Sequence, residues 1–230
     1  SRVSDASSST TSTPRRGAFA RLTERLAGVI KNSPKHHETS TIAAHPPCME
    51  RAGDTALLQN IHRLDLLAFG WCHQRNAEAM IFVAARWISR SADGWLYLLL
   101  PLLFLASNTI DAAGFIALGC QAFALERTAY LLMKNTCRRR RPPDILPGFR
   151  SLVIASDRFS FPSGHTSAAF LFAGLCTQEF GLWAAVLLYP WACCVGASRV
   201  FLGVHFPSDT VAGALLGSAL LLGARSLFAA

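Results

Sequence analysis

Three stretches of this chain carry residue types that can hold and transfer an anionic group. Lys134 and Arg141 stand seven positions apart, just ahead of Pro142-Pro143, and two helical turns would place both cations on one face at the end of a span if the helix continues that far. Phe161-Pro162-Ser163-Gly164-His165-Thr166-Ser167 opens an apolar stretch, and Ser198-Arg199, His205 and Asp209 follow further along. Three cations suit the spread negative charge of an oxyanion such as phosphate. Two imidazoles suit nucleophilic attack and proton transfer near neutral pH. Ser163 can cap a helix while Gly164 lets backbone approach a ligand, so the free N–H groups of that helix start would face an anion. If a helix runs through His205 and Asp209, one turn puts the carboxylate beside the ring, where it sets the tautomer and raises the basicity of the other nitrogen. Pro207 is tolerated there because it falls in the first turn.

Each stretch alone has a plainer reading. The Arg run 138–141 could anchor a membrane boundary. The Pro-Ser-Gly-His stretch could be an ordinary capped helix start, and the His205/Asp209 pair a structural hydrogen bond. Only their convergence at one point would separate function from architecture, so the elements that carry them decide the matter.

Those elements read as a membrane bundle behind a polar tail. Residues 1–63 hold nine Lys/Arg and five Asp/Glu with a Ser/Thr-rich opening, whereas 94–136 and 160–230 are strongly apolar and nearly uncharged. We divide the chain into a disordered tail, 1–60, with a short basic amphipathic piece near Phe19 to Ile30, and a membrane domain, 61–230. The fold class expected is all-α, a multi-pass transmembrane bundle of five or six spans with its site at one membrane face. Residues 61–91 mix apolar and charged positions and suit one or two helices lying at the interface or packed on the bundle, with a first, imperfect span as the alternative. Ala112 to Met133 is long enough to cross about 30 Å of hydrocarbon. Trp95 to Ala106 (with its flanks) and Thr210 to Leu227 are further spans. Thr166 to Ala197 is too long for one crossing, and Glu179-Phe180-Gly181 marks its turn.

That turn matters for the chemistry. On one straight helix His165 and Arg199 would lie about 51 Å apart. Folded back at Gly181, the chain returns Arg199 to the face carrying His165, and the same reasoning returns Lys134 and His205.

The net charge of +8 raises a nucleic-acid reading, but seven of the basic residues cluster between Lys134 and Arg158 beside the spans. No recognition helix or aromatic–basic interleaving accompanies them, so no nucleic-acid partner is expected. Within that cluster Arg138–Arg140 are expected to attract anionic headgroups. Glu126 and Arg127, inside a span, are equally open to function or packing. The seven cysteines show no metal-ligand spacing and no disulfide framework is expected. Nothing in the pattern specifies an oligomeric state, and the Arg run confounds orientation by the positive-inside rule.

Lys134-x6-Arg141-Pro142, Pro162-Ser163-Gly164-His165 and Ser198-Arg199-x5-His205-x3-Asp209 together resemble the three signature motifs of the type 2 phosphatidic acid phosphatase superfamily, in order and at full spacing. Ser89-Arg90-Ser91-Ala92-Asp93-Gly94 is similar to that family's approach to its first clear span. The resemblance implies a metal-independent lipid phosphatase with no cofactor, in a cell membrane of bacterial type, its site facing the periplasm or exterior. It implies His205 as nucleophile, Asp209 as the holder of its ring, His165 as acid and then base, and a phosphate cradle of Lys134, Arg141, Arg199, Ser163 and Gly164. Its implied partners are membrane lipids and a lipid phosphate or diphosphate substrate, of undecaprenyl diphosphate or phosphatidate type. Two rival functions share the cradle: a vanadium-dependent haloperoxidase, and a catalytically silent protein that binds phospholipid.

Overall fold

The computed structural model describes residues 56–74, 79–107, 111–146, 149–155 and 157–228. The polar segment expected to be a disordered tail lies, for residues 1–55, outside the described residues. The chain forms α1 (Ala56–Gln74), α2 (Ala79–Ser91), α3 (Trp95–Ser107), α4 (Ala112–Cys137), the single turn α5 (Pro142–Ile145), α6 (Gly164–Phe180), α7 (Leu182–Phe201) and α8 (Pro207–Phe228), with no strand among the described residues.

Local chemistry sets the breaks between helices. Asp111 caps α4 by accepting the Gly114 N–H at 3.1 Å. At its far end Arg138 takes a left-handed conformation (φ 48°) and its N–H donates to the Lys134 carbonyl. Between α6 and α7 the chain reverses at Gly181, whose φ of 70° a glycine adopts without strain. The fold-back expected from the overlong apolar run is therefore present.

Helix α6 is the centre of the bundle and packs against α4, α7 and α8. Its buried side chains are mostly small (Ala168, Ala169, Ala173), with Leu171, Phe172 and Leu175 filling a core shared with Phe115 and Ala122 of α4 and Leu221 of α8. Helix α8 meets α6 closely through Gly213 and Gly217. A methyl at Gly213 would stand 2.5 Å from the Ser163 carbonyl, and one at Gly217 would run into the Ser167 carbonyl. Small residues four apart allow such an approach between membrane helices. The crossing brings the starts of α6 and α8 together.

By length and composition α7 and Pro207–Ala224 of α8 can each cross a membrane, and the pair Met80–Ser91 and Trp95–Ala106, bent by 49°, makes a third if it acts as one span. The five or six spans expected are not reached on that measure. Helix α4 is long enough but carries Glu126, Arg127 and Lys134, and α6 has only 17 residues. Of the expected interfacial stretch, α1 packs against α7 and α8, and α2 against α7.

Candidate active site

The C-terminal ends of α4 and α7 and the N-terminal ends of α6 and α8 lie at the same end of the bundle, where the contacts below join them. A cleft of about 390 Å³ opens there, lined by Arg127, Tyr130, Asp157, Gly164, His165, Arg199 and His205 among others. Ala92 and His205, 113 positions apart, thus share one concavity.

Lys134 and Arg141 converge by a different route from the one expected. Helix α4 ends before Arg141, so the two are not stacked on one helical face. The left-handed turn at Arg138 folds the chain back, and Arg141 enters as the residue before α5. Both side chains are buried. Lys134 donates to the Tyr130 hydroxyl at 2.6 Å and to Asp157 Oδ2. Arg141 donates to the Val204 carbonyl at 2.5 Å, to the Asp157 carbonyl at 3.0 Å and to Asp157 Oδ1.

Ser163 precedes α6 as expected, but its hydroxyl does not cap the backbone. It pairs instead with Thr166 Oγ1 at 2.9 Å, while the Ser163 N–H donates to the Asp209 carbonyl at 3.0 Å. Gly164 has a packing reason to lack a side chain, because a methyl there would sit 2.9 Å from the Tyr130 ring. His165 lies in the first turn, with Nε2 2.9 Å from Asp93 Oδ1.

His205 is in the loop before α8 rather than on it, so the helical i,i+4 stacking drawn from the sequence is not how it meets Asp209. Asp209 Oδ2 instead accepts the Phe206 N–H at 2.8 Å and lies 3.7 Å from His205 Nδ1, closing the turn that starts the helix. That nitrogen has no hydrogen-bond partner among the described residues. His205 is fully enclosed, and burial holds its pKa down at about 4, against the opposing pull of Asp209. The ring is therefore neutral at physiological pH. Arg199 donates to Ser89 Oγ at 2.7 Å and keeps a buried Nε with no partner among the described residues.

The structure also brings in residues that spacing did not reveal. Arg139 was expected to attract headgroups with its neighbours, but it is 2% exposed. It donates to Asp209 Oδ1 and to Asp65 Oδ2, each at 2.6 Å, and stacks 4.5 Å from the Phe206 ring. Burial would lower its pKa, yet the two carboxylates raise it, so the guanidinium stays charged. Asp65, on α1, also accepts the Ser208 N–H at 2.9 Å and its hydroxyl at 2.5 Å. Arg138 and Arg140 remain exposed. Asp157 lies in the same basic stretch, where spacing alone gives it no role. Burial would raise its pKa, but hydrogen bonds from Lys134 and Tyr130 and the charge of Arg141 bring it to about 2. Glu126 is buried with Arg127 Nη2 at 4.0 Å, and its carboxyl oxygens have no hydrogen bond among the described residues. Among those residues no three His, Cys, Asp or Glu side chains are grouped to hold a metal ion.

Comparison with known proteins bears on this arrangement. A family model described as the PAP2 superfamily matches residues 113–230. The chain is 33% identical over 132 residues to the decaprenylphosphoryl-5-phosphoribose phosphatase of Mycolicibacterium smegmatis, covering 56% of this chain and 63% of that protein. It is 39% identical over 83 residues to the putative undecaprenyl-diphosphatase YbjG of Escherichia coli, covering 36% and 41%. The matches thus span less than two thirds of either relative. In fold it is similar to the first transmembrane PAP2 type phosphatidylglycerolphosphate phosphatase from Bacillus subtilis, with a TM-score of 0.59 and 19% identity over 92% of this chain and 94% of that one.

Proposed function

The chain belongs to the PAP2 superfamily, and on that premise we propose that it is an integral membrane phosphatase that hydrolyses a lipid phosphate or diphosphate through a phosphohistidine intermediate, without a metal ion. The observation that carries this reading is one cleft lined by both imidazoles and by Arg199, whose buried Nε has no hydrogen-bond partner among the described residues.

In the first step His205 Nε2 attacks phosphorus in line, its ring backed by Asp209. The bond to the leaving oxygen breaks as His165 delivers a proton to it. In the second step water attacks the phosphohistidine, giving its proton to His165. The N–P bond breaks, inorganic phosphate leaves, and His205 is restored. Arg199, Lys134 and Arg141 balance charge on the equatorial oxygens, and the backbone at Ser163-Gly164 completes the cradle. Arg139 and Asp65 hold Asp209 in place.

An apolar cavity of about 480 Å³ supports a lipid substrate. Leu98, Pro101, Leu102 and Phe115 are among its walls, and it shares Gly94, Tyr97 and Phe123 with the catalytic cleft. A chain lying there would present its headgroup to His205. Both curated relatives are named for polyprenyl-linked phosphates, which favours that class over glycerolipids.

We include α4 and α6 among the spans, which makes five with the bent pair and six if α1 also crosses. Glu126 and Lys134 of α4 face the protein interior, and α6 is sheltered by its neighbours, so neither needs a fully apolar surface.

The test is phosphate release from a panel of lipid phosphates by the purified chain in detergent. Turnover of a polyprenyl substrate, unchanged by EDTA and abolished in His205→Ala and His165→Ala, is the expected result. Lipid binding without phosphate release would instead favour a binding protein, and turnover that needs added Mg²⁺ would contradict the mechanism.

A further inference from the structure

We propose that Asp157 is a resident counter-anion of the phosphate cradle, a side chain that incoming phosphate must displace and whose return helps to expel the product. This rests on the phosphatase reading above and adds a residue to it that neither the motifs nor the mechanism requires.

Asp157 sits on the loop between α5 and α6, and its carboxylate occupies the two cations of the first sequence cluster. Oδ2 accepts from Lys134 and from the Tyr130 hydroxyl, and Oδ1 accepts from Arg141. Among the described residues neither Lys134 nor Arg141 forms a salt bridge with any other carboxylate. Two carboxylate oxygens placed this way imitate two equatorial oxygens of a phosphoryl group. The likeness stops at charge, since a phosphate monoester carries close to two negative charges near neutral pH. Substrate can therefore outcompete the resident group for the same donors.

The surroundings allow the exchange. The Asp157 side chain is 35% exposed, whereas Lys134 and Arg141 are enclosed. Arg141 Nε also holds the Asp157 carbonyl at 3.0 Å, so the backbone can stay docked while the side chain rotates out to water. Arg199, which lines the cleft and forms no salt bridge among the described residues, offers phosphate a first contact while Asp157 is still in place. Without a competitor, three cations and a helix start would retain free phosphate. Binding shared equally by ground state, product and transition state does nothing for turnover at saturating substrate.

Inhibition constants for inorganic phosphate and vanadate, measured on the full chain in detergent with phosphate release as readout, test the idea. Asp157→Asn keeps the shape and removes the charge. Both inhibition constants are expected to fall by about tenfold or more, with KM falling in step. Constants that stay put or rise would show Asp157 to be a strut for the two cations and would overturn the proposal. Tyr130→Phe removes one donor from the carboxylate without altering any charge. It should lower the phosphate constant by a smaller factor, and it decides the matter if Asp157→Asn does not fold. An inactive wild type that also fails to bind vanadate would sink the phosphatase reading itself. An active wild type with unmoved constants in both variants would sink only this inference.

Discussion

Two carboxylate–cation clusters stand behind the same cleft, and they differ in one respect. Asp65, Arg139 and Asp209 are almost wholly enclosed, with side-chain exposures of 4%, 2% and 0%. Asp157 pairs with Lys134 and Arg141 just as closely, but is itself 35% exposed. An enclosed cluster cannot exchange partners without stranding a charge in the interior, so it works as scaffold. A half-exposed carboxylate can trade protein donors for water, so it can yield to a ligand. The same ion-pair chemistry serves as frame in one place and as replaceable occupant in the other, and burial decides which.

The comparison breaks most visibly at Arg139. Truncation by Arg139→Ala leaves two buried carboxylates without their cation, a change that costs about 3–5 kcal/mol in buried ion pairs. A large drop in the thermal midpoint and loss of activity are expected. By contrast, Asp157→Asn leaves Lys134 and Arg141 without their counter-charge at the edge of an open cleft, so it should lower the midpoint by less than Arg139→Ala, and equal losses in the two variants would remove the distinction.

Asp65→Asn is the intermediate case. The amide can still accept from Ser208, but Arg139 loses one of its two anionic partners, and an impaired buried hydrogen bond costs about 1–3 kcal/mol. Because Asp65 acts through Arg139 and Asp209, kcat should fall more than KM rises. A change confined to KM would mean that α1 contributes to substrate binding instead.

A smaller effect concerns pH. In the proposed mechanism His205 attacks only when neutral, and burial keeps its pKa near 4, below the ordinary imidazole value. Its contribution to the acid limb of kcat/KM should therefore appear as pH falls toward about 4 and not near 6.5. Since Asp209 raises the His205 pKa, Asp209→Asn should move that limb to still lower pH while reducing the rate. An acid limb unchanged by that substitution would assign it to another group.

The three chemical clusters were legible in the sequence because each is compact in the chain and carried by a recognisable helix end. The turn at Gly181 was legible too, since an apolar run beyond membrane length has to reverse. What escaped was partnership across distance. Asp65 meets Ser208 from 143 positions away, and no periodicity encodes that. Arg139 sits among four consecutive arginines of identical charge, and only burial separates it from Arg138 and Arg140. Asp157 was hidden by its setting, because an acid in a basic loop looks like a solvated residue until the fold places it on Lys134. Ser163 was assigned a capping role on residue type alone, and the nearby Thr166 hydroxyl took the bond instead.

The central claim is that His205 carries the phosphoryl group between two chemical steps. Brief reaction with a lipid substrate labelled with ³²P, followed by alkaline quench and mapping of the labelled peptide, tests it most directly. The account predicts an acid-labile, base-stable label on His205 that is absent from His205→Ala. Turnover retained in His205→Ala, or label recovered on another residue, would contradict it.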